Sequence, residues 1–146
     1  MYFAYGSNLS QAQMANRCPT AKRLGVAVLE GHRLSFTAFS RGWKGGVADV
    51  VEAAGREVWG LLYELTPADL TALDGYEGYP NLYDRRRLHV IPEGTHSAVE
   101  AWVYFVVSKQ DFVIPAAEYL AALVGCAKEF GFPEEYVTAL ESTPIR

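Results

Sequence analysis

Apolar and polar positions alternate most cleanly in two runs past the middle of the chain. Tyr83 to Ile91 carries Leu88 and Val90, and Ala98 to Val107 carries Val99, Ala101 and Val103. A period of two predicts strands, and Pro92-Glu93-Gly94 between them predicts that the pair forms a hairpin. Earlier, Val26 to Phe39 is apolar and aromatic but broken by Glu30-Gly31-His32, which reads as two strand segments or one bulged strand. Val47 to Val51 and Glu57 to Leu65 read as two further strands separated by a turn at Gly55, with Val58 to Tyr63 buried on both faces. Gly42, Gly45 and Gly46 mark a mobile loop before them, read as a lid.

Helical spacing appears elsewhere. Thr66-Pro67-Ala68-Asp69 opens a helix with Thr66 as cap and Asp69 at the positive end of the dipole. It is expected to run to about Asp74 with Leu70 and Leu73 inward, leaving Tyr76-Glu77 between Gly75 and Gly78 beyond its end. Tyr119, Leu120, Leu123, Val124 and Ala127 recur on one helical face after Pro115, and Glu134 to Glu141 makes a last helix. At the other end an aromatic strand, Met1 to Tyr5, runs into Gly6-Ser7-Asn8, and Ser10 then caps a short helix from Gln11 to Arg17 that Pro19 closes. Many strands with helices at the start, middle and end give an α+β class, with a small mixed sheet strongly curved or closed like a barrel. Strict strand-helix alternation is missing, which argues against a doubly wound parallel sheet.

Composition narrows the partners. A chain of 146 residues, 50% hydrophobic, fits a single domain over 1–146. With 13 basic and 17 acidic side chains the net charge is −4, and no basic face invites a phosphate backbone, so nucleic acid is not expected. No run approaches the roughly 18 apolar residues that cross a bilayer, and the expectation is a cytoplasmic protein without a membrane partner. Cys18 and Cys126 make no disulfide framework, and His32, His89 and His96 make no ligand pair, so no metal is expected. The aromatic content permits a homodimer face without locating one.

Two places carry candidate chemistry. Gly6-Ser7-Asn8 is either a tight turn or an anion cradle, in which Gly6 permits positive φ and successive backbone N–H groups converge beside a helix N-terminus. Glu77, set among aromatic rings and glycines, is either a solvated surface acid or a desolvated carboxyl whose raised pKa suits a proton shuttle. Gly42-Trp43-Lys44-Gly45-Gly46 lacks the Ser or Thr that follows a phosphate-loop lysine. Ser7 has no evident base, and neither cysteine has a histidine near it in sequence.

Tyr2-Phe3-Ala4-Tyr5-Gly6-Ser7-Asn8-Leu9 and Leu73-Asp74-Gly75-Tyr76-Glu77-Gly78, in that order and separation, resemble the gamma-glutamylcyclotransferase family. Gly45-Gly46-Val47-Ala48, Glu57-Val58-Trp59-Gly60 and Tyr119 with Ala127-Lys128-Glu129 are similar to its enzyme branch. The resemblance implies a small closed mixed sheet with flanking helices and a cofactor-free cyclisation of a small γ-glutamyl substrate to 5-oxoproline. It implies Glu77 as the acid/base residue and residues Tyr2, Phe3, Ala4, Tyr5, Gly6, Ser7 and Asn8 as the substrate loop. Tyr119 is then a substrate contact or a core residue, and Tyr83 either orients Glu77 through its hydroxyl or is an ordinary strand tyrosine. Arg85-Arg86-Arg87 either draws in an acidic substrate or forms a solvated strand face. Relatives of this fold also include pocket-bearing proteins without a demonstrated reaction, so a binding module is the rival class.

Overall fold

Two long strands, β2 (Lys22–Ser40) and β3 (Gly45–Glu64), form a hairpin that supplies most of a closed barrel in the computed structural model, which describes all of residues 1–146. The barrel order is β1-β3-β2-β4-β5, where β1 is Tyr2–Ala4, β4 is Tyr83–Pro92 and β5 is Val99–Val106. Strand β1 runs antiparallel to β3 and parallel to β5, which makes the sheet mixed. Strands of this length must bend to close, and β2 does so at three register shifts, Arg23/Gly25, Glu30/His32 and Phe36/Ala38.

The middle shift resolves one expectation and corrects another. Val26 to Phe39 belongs to one bulged strand, and the two strands expected over 47–65 are likewise one. Residues 53–56 of β3 lie opposite the single residue Gly31 of β2, between the pairs Glu30↔Glu57 and His32↔Glu52. Gly31 (φ 75°) and Gly55 (φ 77°) take the left-handed conformation there, so the ladder kinks without ending. Gly45 and Gly46, expected in a mobile loop, are the first residues of β3; the turn is Arg41–Lys44. Strands β4 and β5 pair from Tyr83↔Val106 to Val90↔Val99 as the hairpin that their alternation predicts.

Helices α1 (Gln11–Arg17), α2 (Pro67–Glu77), α3 (Ala117–Glu129) and α4 (Glu134–Glu141) pack outside the barrel. None is long and apolar enough to cross a membrane. Helix α2 starts with a reciprocal capping box: Thr66 Oγ1 accepts from the Asp69 amide at 3.1 Å, and Asp69 Oδ2 from the Thr66 amide at 3.0 Å. It continues past Asp74, the expected stop, because Gly75 is accommodated inside the helix and the left-handed break comes only at Gly78 (φ 65°). Glu77 is therefore the last helical residue and not part of a free loop.

Phe3, Val58, Leu61, Val90 and Val103 fill the core of the barrel and are essentially inaccessible. Gly60 lies so close beneath β1 that a Cβ there would overlap the Ala4 carbonyl oxygen and the Phe3 ring. Gly60→Ala is expected to cost about 1–3 kcal/mol, lowering the melting temperature by roughly 3–10 °C. Thermal unfolding followed by circular dichroism measures this, and an unchanged melting temperature would contradict the close approach.

Candidate active site

Strand β1 delivers Tyr5 and Gly6 into a 3-10 turn, Ser7–Leu9, and Ser10 then caps α1 by accepting from the Gln13 amide at 3.2 Å. This compact turn buries Asn8, whose side-chain amide is satisfied at both ends. Its Oδ1 accepts from Gln13 Nε2 (2.9 Å) and Arg17 Nη1 (3.1 Å). Two donors on that side fix the flip of the amide, so Nδ2 faces the other way. It donates to Tyr2 Oη at 2.8 Å and to Glu77 Oε1 at 3.3 Å.

Glu77 reaches this point from the C-terminal end of α2. Burial raises its pKa to about 7, against the opposing pull of the Arg17 charge and the Asn8 hydrogen bond. A carboxyl group with that value changes protonation near neutral pH.

Around Glu77 is a cavity of about 140 Å³, lined by Tyr2, Tyr5, Gly6, Ser7, Asn8, Tyr83 and Tyr119, among others. The amides of Gly6, Ser7 and Asn8 donate to no other group of the protein. Gly6 itself has φ −115° and does not use the positive φ that glycine permits. Glycine is needed there for a different reason: a Cβ would stand 3.3 Å from Ala48 Cβ and 3.5 Å from Tyr119 Oη.

The tyrosines divide by what their hydroxyls do. Tyr5 donates to the Tyr104 carbonyl (2.7 Å), Tyr83 to the Ala48 carbonyl (2.6 Å) and Tyr104 to Asp74 Oδ1 (2.7 Å). These three protons are committed to the scaffold. Tyr119 instead accepts from the Ala48 amide at 2.9 Å, and Tyr2 accepts from Asn8, so each keeps its own proton for something in the cavity. Burial pushes the pKa of both phenols upward, which keeps them protonated donors. Neither reading of Tyr119 excludes the other: its ring is 2% exposed and packs on Trp43 at 4.9 Å, while its hydroxyl reaches the cavity.

Other expectations need correction. Phe3 and Ala4 do not line the cavity; both side chains are fully buried in the core. Tyr83 lines the cavity, but its hydroxyl is held by Ala48 and does not orient Glu77. Asn8 fills that role. Arg85 makes a two-pronged bond to Asp74 (2.8 and 3.0 Å), Arg86 stacks on Phe105 and Arg87 on Trp102, and none of the three lines the cavity. The cation that does is Arg17, which sequence reasoning passed over. Its only signal was a basic residue in the last turn of a helix following the loop.

The family described as gamma-glutamyl cyclotransferase, AIG2-like, matches residues 2–121. The chain is 33% identical to the gamma-glutamylcyclotransferase of Bos taurus over 150 residues, covering 97% of this chain and 77% of that protein. It is 30% identical to the Homo sapiens protein of the same name over 148 residues, with the same coverage. Among solved structures, one described as gamma-glutamyl cyclotransferase superposes with a TM-score of 0.91 at 29% identity, covering 99% of this chain and 88% of that one.

Proposed function

Since the chain belongs to the gamma-glutamyl cyclotransferase, AIG2-like family and is an enzyme of the cyclotransferase type, we propose that it converts a γ-glutamyl amino acid to 5-oxoproline with Glu77 as base and then acid. The α-amino nitrogen of the glutamyl group attacks its own γ-carbonyl carbon. A C–N bond closes the five-membered ring, the amide bond to the attached amino acid breaks, and the amino acid departs. No water or redox partner is consumed. Holding the chain folded so that nitrogen and carbonyl meet supplies much of the acceleration.

The observation that carries this reading is the Asn8 bridge, which holds the Glu77 carboxyl in the cavity beside unpaired donors. The nucleophile arrives as an ammonium with a pKa near 8, and an ordinary glutamate would accept its proton at a cost of roughly 5 kcal/mol. With Glu77 at about 7 the gap falls to about one pH unit, roughly 1.4 kcal/mol. The proton moves from the ammonium to Glu77 and from Glu77 to the departing nitrogen, so the carboxylate is regenerated. Tyr119 and Tyr2, together with the Gly6, Ser7 and Asn8 amides, supply donors for the glutamyl α-carboxylate and for the oxyanion that develops on the γ-carbonyl oxygen. Ser7 is not the nucleophile in this scheme; its Oγ meets Gln13 Nε2 at 2.8 Å, a donor and not a base.

Incubating the purified protein with γ-glutamyl-alanine, γ-glutamyl-ε-lysine and glutathione, without added metal, tests the proposal. Mass spectrometry should detect 5-oxoproline from γ-glutamyl-alanine. Product from γ-glutamyl-ε-lysine alone would instead place the activity on γ-glutamyl amines, and no product from any would favour a binding module.

A further inference from the structure

The cavity, at about 140 Å³, is well short of the roughly 300–1,000 Å³ that encloses a drug-sized ligand. It suits one glutamyl-sized fragment, so the group beyond the scissile amide emerges at the opening. Two cavity-lining side chains mark that opening by their exposure, Tyr76 at 55% and Leu82 at 45%. Single exposed apolar side chains are ordinary, but two together at the mouth of a cavity offer a ligand an apolar contact surface.

Both are held in place. Tyr76 precedes Glu77 in α2, and the Arg17 guanidinium stacks 4.5 Å over its ring centroid. Leu82 ends a turn in which the Asn81 and Leu82 amides both donate to the Gly78 carbonyl at 2.9 Å, and its own carbonyl accepts from the Val107 amide at 3.0 Å. Arg17 is the only cation lining the cavity and Glu77 the only acid. A γ-glutamyl amino acid brings two carboxylates. The turn amides suit the one on the glutamyl group, and the Tyr76-stacked Arg17 faces the end where the second would emerge.

Resting on the cyclisation reading, we infer that Tyr76, Leu82 and Arg17 form a leaving-group subsite, selecting γ-glutamyl amino acids whose departing residue joins an apolar side chain to a free α-carboxylate. Tyr76 and Leu82 take the side chain and Arg17 the carboxylate.

The test compares kcat/KM for γ-glutamyl-leucine, γ-glutamyl-aspartate and γ-glutamyl-isoamylamide, which is the leucine compound without its carboxylate. Wild type is expected to favour the leucine compound about tenfold or more over each of the others, a range typical of one apolar or charged contact. Tyr76→Ala and Leu82→Ser should each compress the leucine-to-aspartate ratio several-fold. Arg17→Gln, which keeps a donor for Asn8, should compress the leucine-to-isoamylamide ratio. Each ratio is internal to one protein, so a general loss of folded enzyme cancels. Ratios near one in wild type, or ratios that the variants leave intact, overturn the subsite while the cyclisation stands. Absence of 5-oxoproline from all three substrates overturns the cyclisation and the subsite with it.

Discussion

Glu77→Gln is expected to lower kcat by about 10²–10⁴-fold, the usual worth of a positioned acid/base group, with a smaller change in KM. Glutamine keeps the size of the side chain and an oxygen for the Asn8 Nδ2 bond, but it cannot take a proton from the ammonium. The pH profile should change in parallel. With Glu77 near 7, wild-type kcat/KM rises about tenfold per pH unit below that value and levels above it, and the rising limb disappears in the variant. Stability moves the other way. A carboxyl whose pKa is raised by folding contributes most below its unfolded value, and that contribution is lost as pH climbs through the folded one. Between about 4.5 and 7 the wild type gives up as much as roughly 3 kcal/mol that the glutamine variant retains. The variant should therefore melt higher than wild type at pH 8 and not at pH 4. Turnover that persists near the wild-type rate would remove Glu77 from the mechanism.

The second large effect is expected far from the proton. Asp49 is completely buried in β3, next to Ala48, and accepts from Thr37 Oγ1 (2.7 Å), the Val106 amide (3.0 Å) and Lys109 Nζ (2.6 Å). It ties the end of β5 and the segment after it to the β2–β3 hairpin, which β-ladder bonds do not do there. Asp49→Ala leaves the Val106 amide and Thr37 without their acceptor, at about 3 kcal/mol, toward the low end for a buried ion pair because Lys109 is partly exposed and can turn to water. Calorimetry should register a melting temperature lower by roughly 6–12 °C. Activity should fall as well, because the Ala48 carbonyl accepts from Tyr83 and the Ala48 amide donates to Tyr119. A variant that melts within a degree or two of wild type would show that the hairpin and β5 stay together without Asp49.

What could be read from the sequence depended on whether a local pattern decided the outcome. The β4–β5 hairpin follows its period and α1 its Ser10 cap, and these elements, with α3 and α4, appear with the expected limits to within a residue or two. The Thr66 capping box fixes the start of α2, but its end depended on which of Gly75 and Gly78 adopts the left-handed conformation, and both are plausible stops locally. Gly55 misled for a related reason: a positive-φ glycine serves a turn and a bulge equally, and only pairing with β2 across the ladder distinguishes them. Strand β1 is buried throughout, so hydrophobicity could not separate Tyr2 and Tyr5, which line the cavity, from Phe3 and Ala4, which lie in the core, and alternation could not either, since it groups Tyr2 with Ala4 and Phe3 with Tyr5. Glu77 and Asn8 were visible as candidates from their surroundings in the sequence, and the family resemblance assigned their roles. Their bond was not, because it joins segments that meet only in the folded chain. Arg17 was missed because a helix-end arginine has no local mark of function, and Ala48 was visible only as part of the Gly45-Gly46-Val47-Ala48 resemblance.

The shortest strand has a disproportionate influence on when this protein can work. Residues Tyr2–Ala4 are the seam between β3 and β5, joined to β5 by the Tyr2↔Trp102 pairing and by the Trp102 amide donating to the Met1 carbonyl at 2.8 Å. The same peptide continues directly into the turn that carries Asn8. Local opening of the seam would thus dismantle the site while leaving the β2–β3 and β4–β5 hairpins paired, so catalytic competence depends on β1 staying docked and not on the hairpins alone. A ligand in the cavity bridges the seam to α2 and α3, and it draws the equilibrium toward the sealed barrel in proportion to its own occupancy.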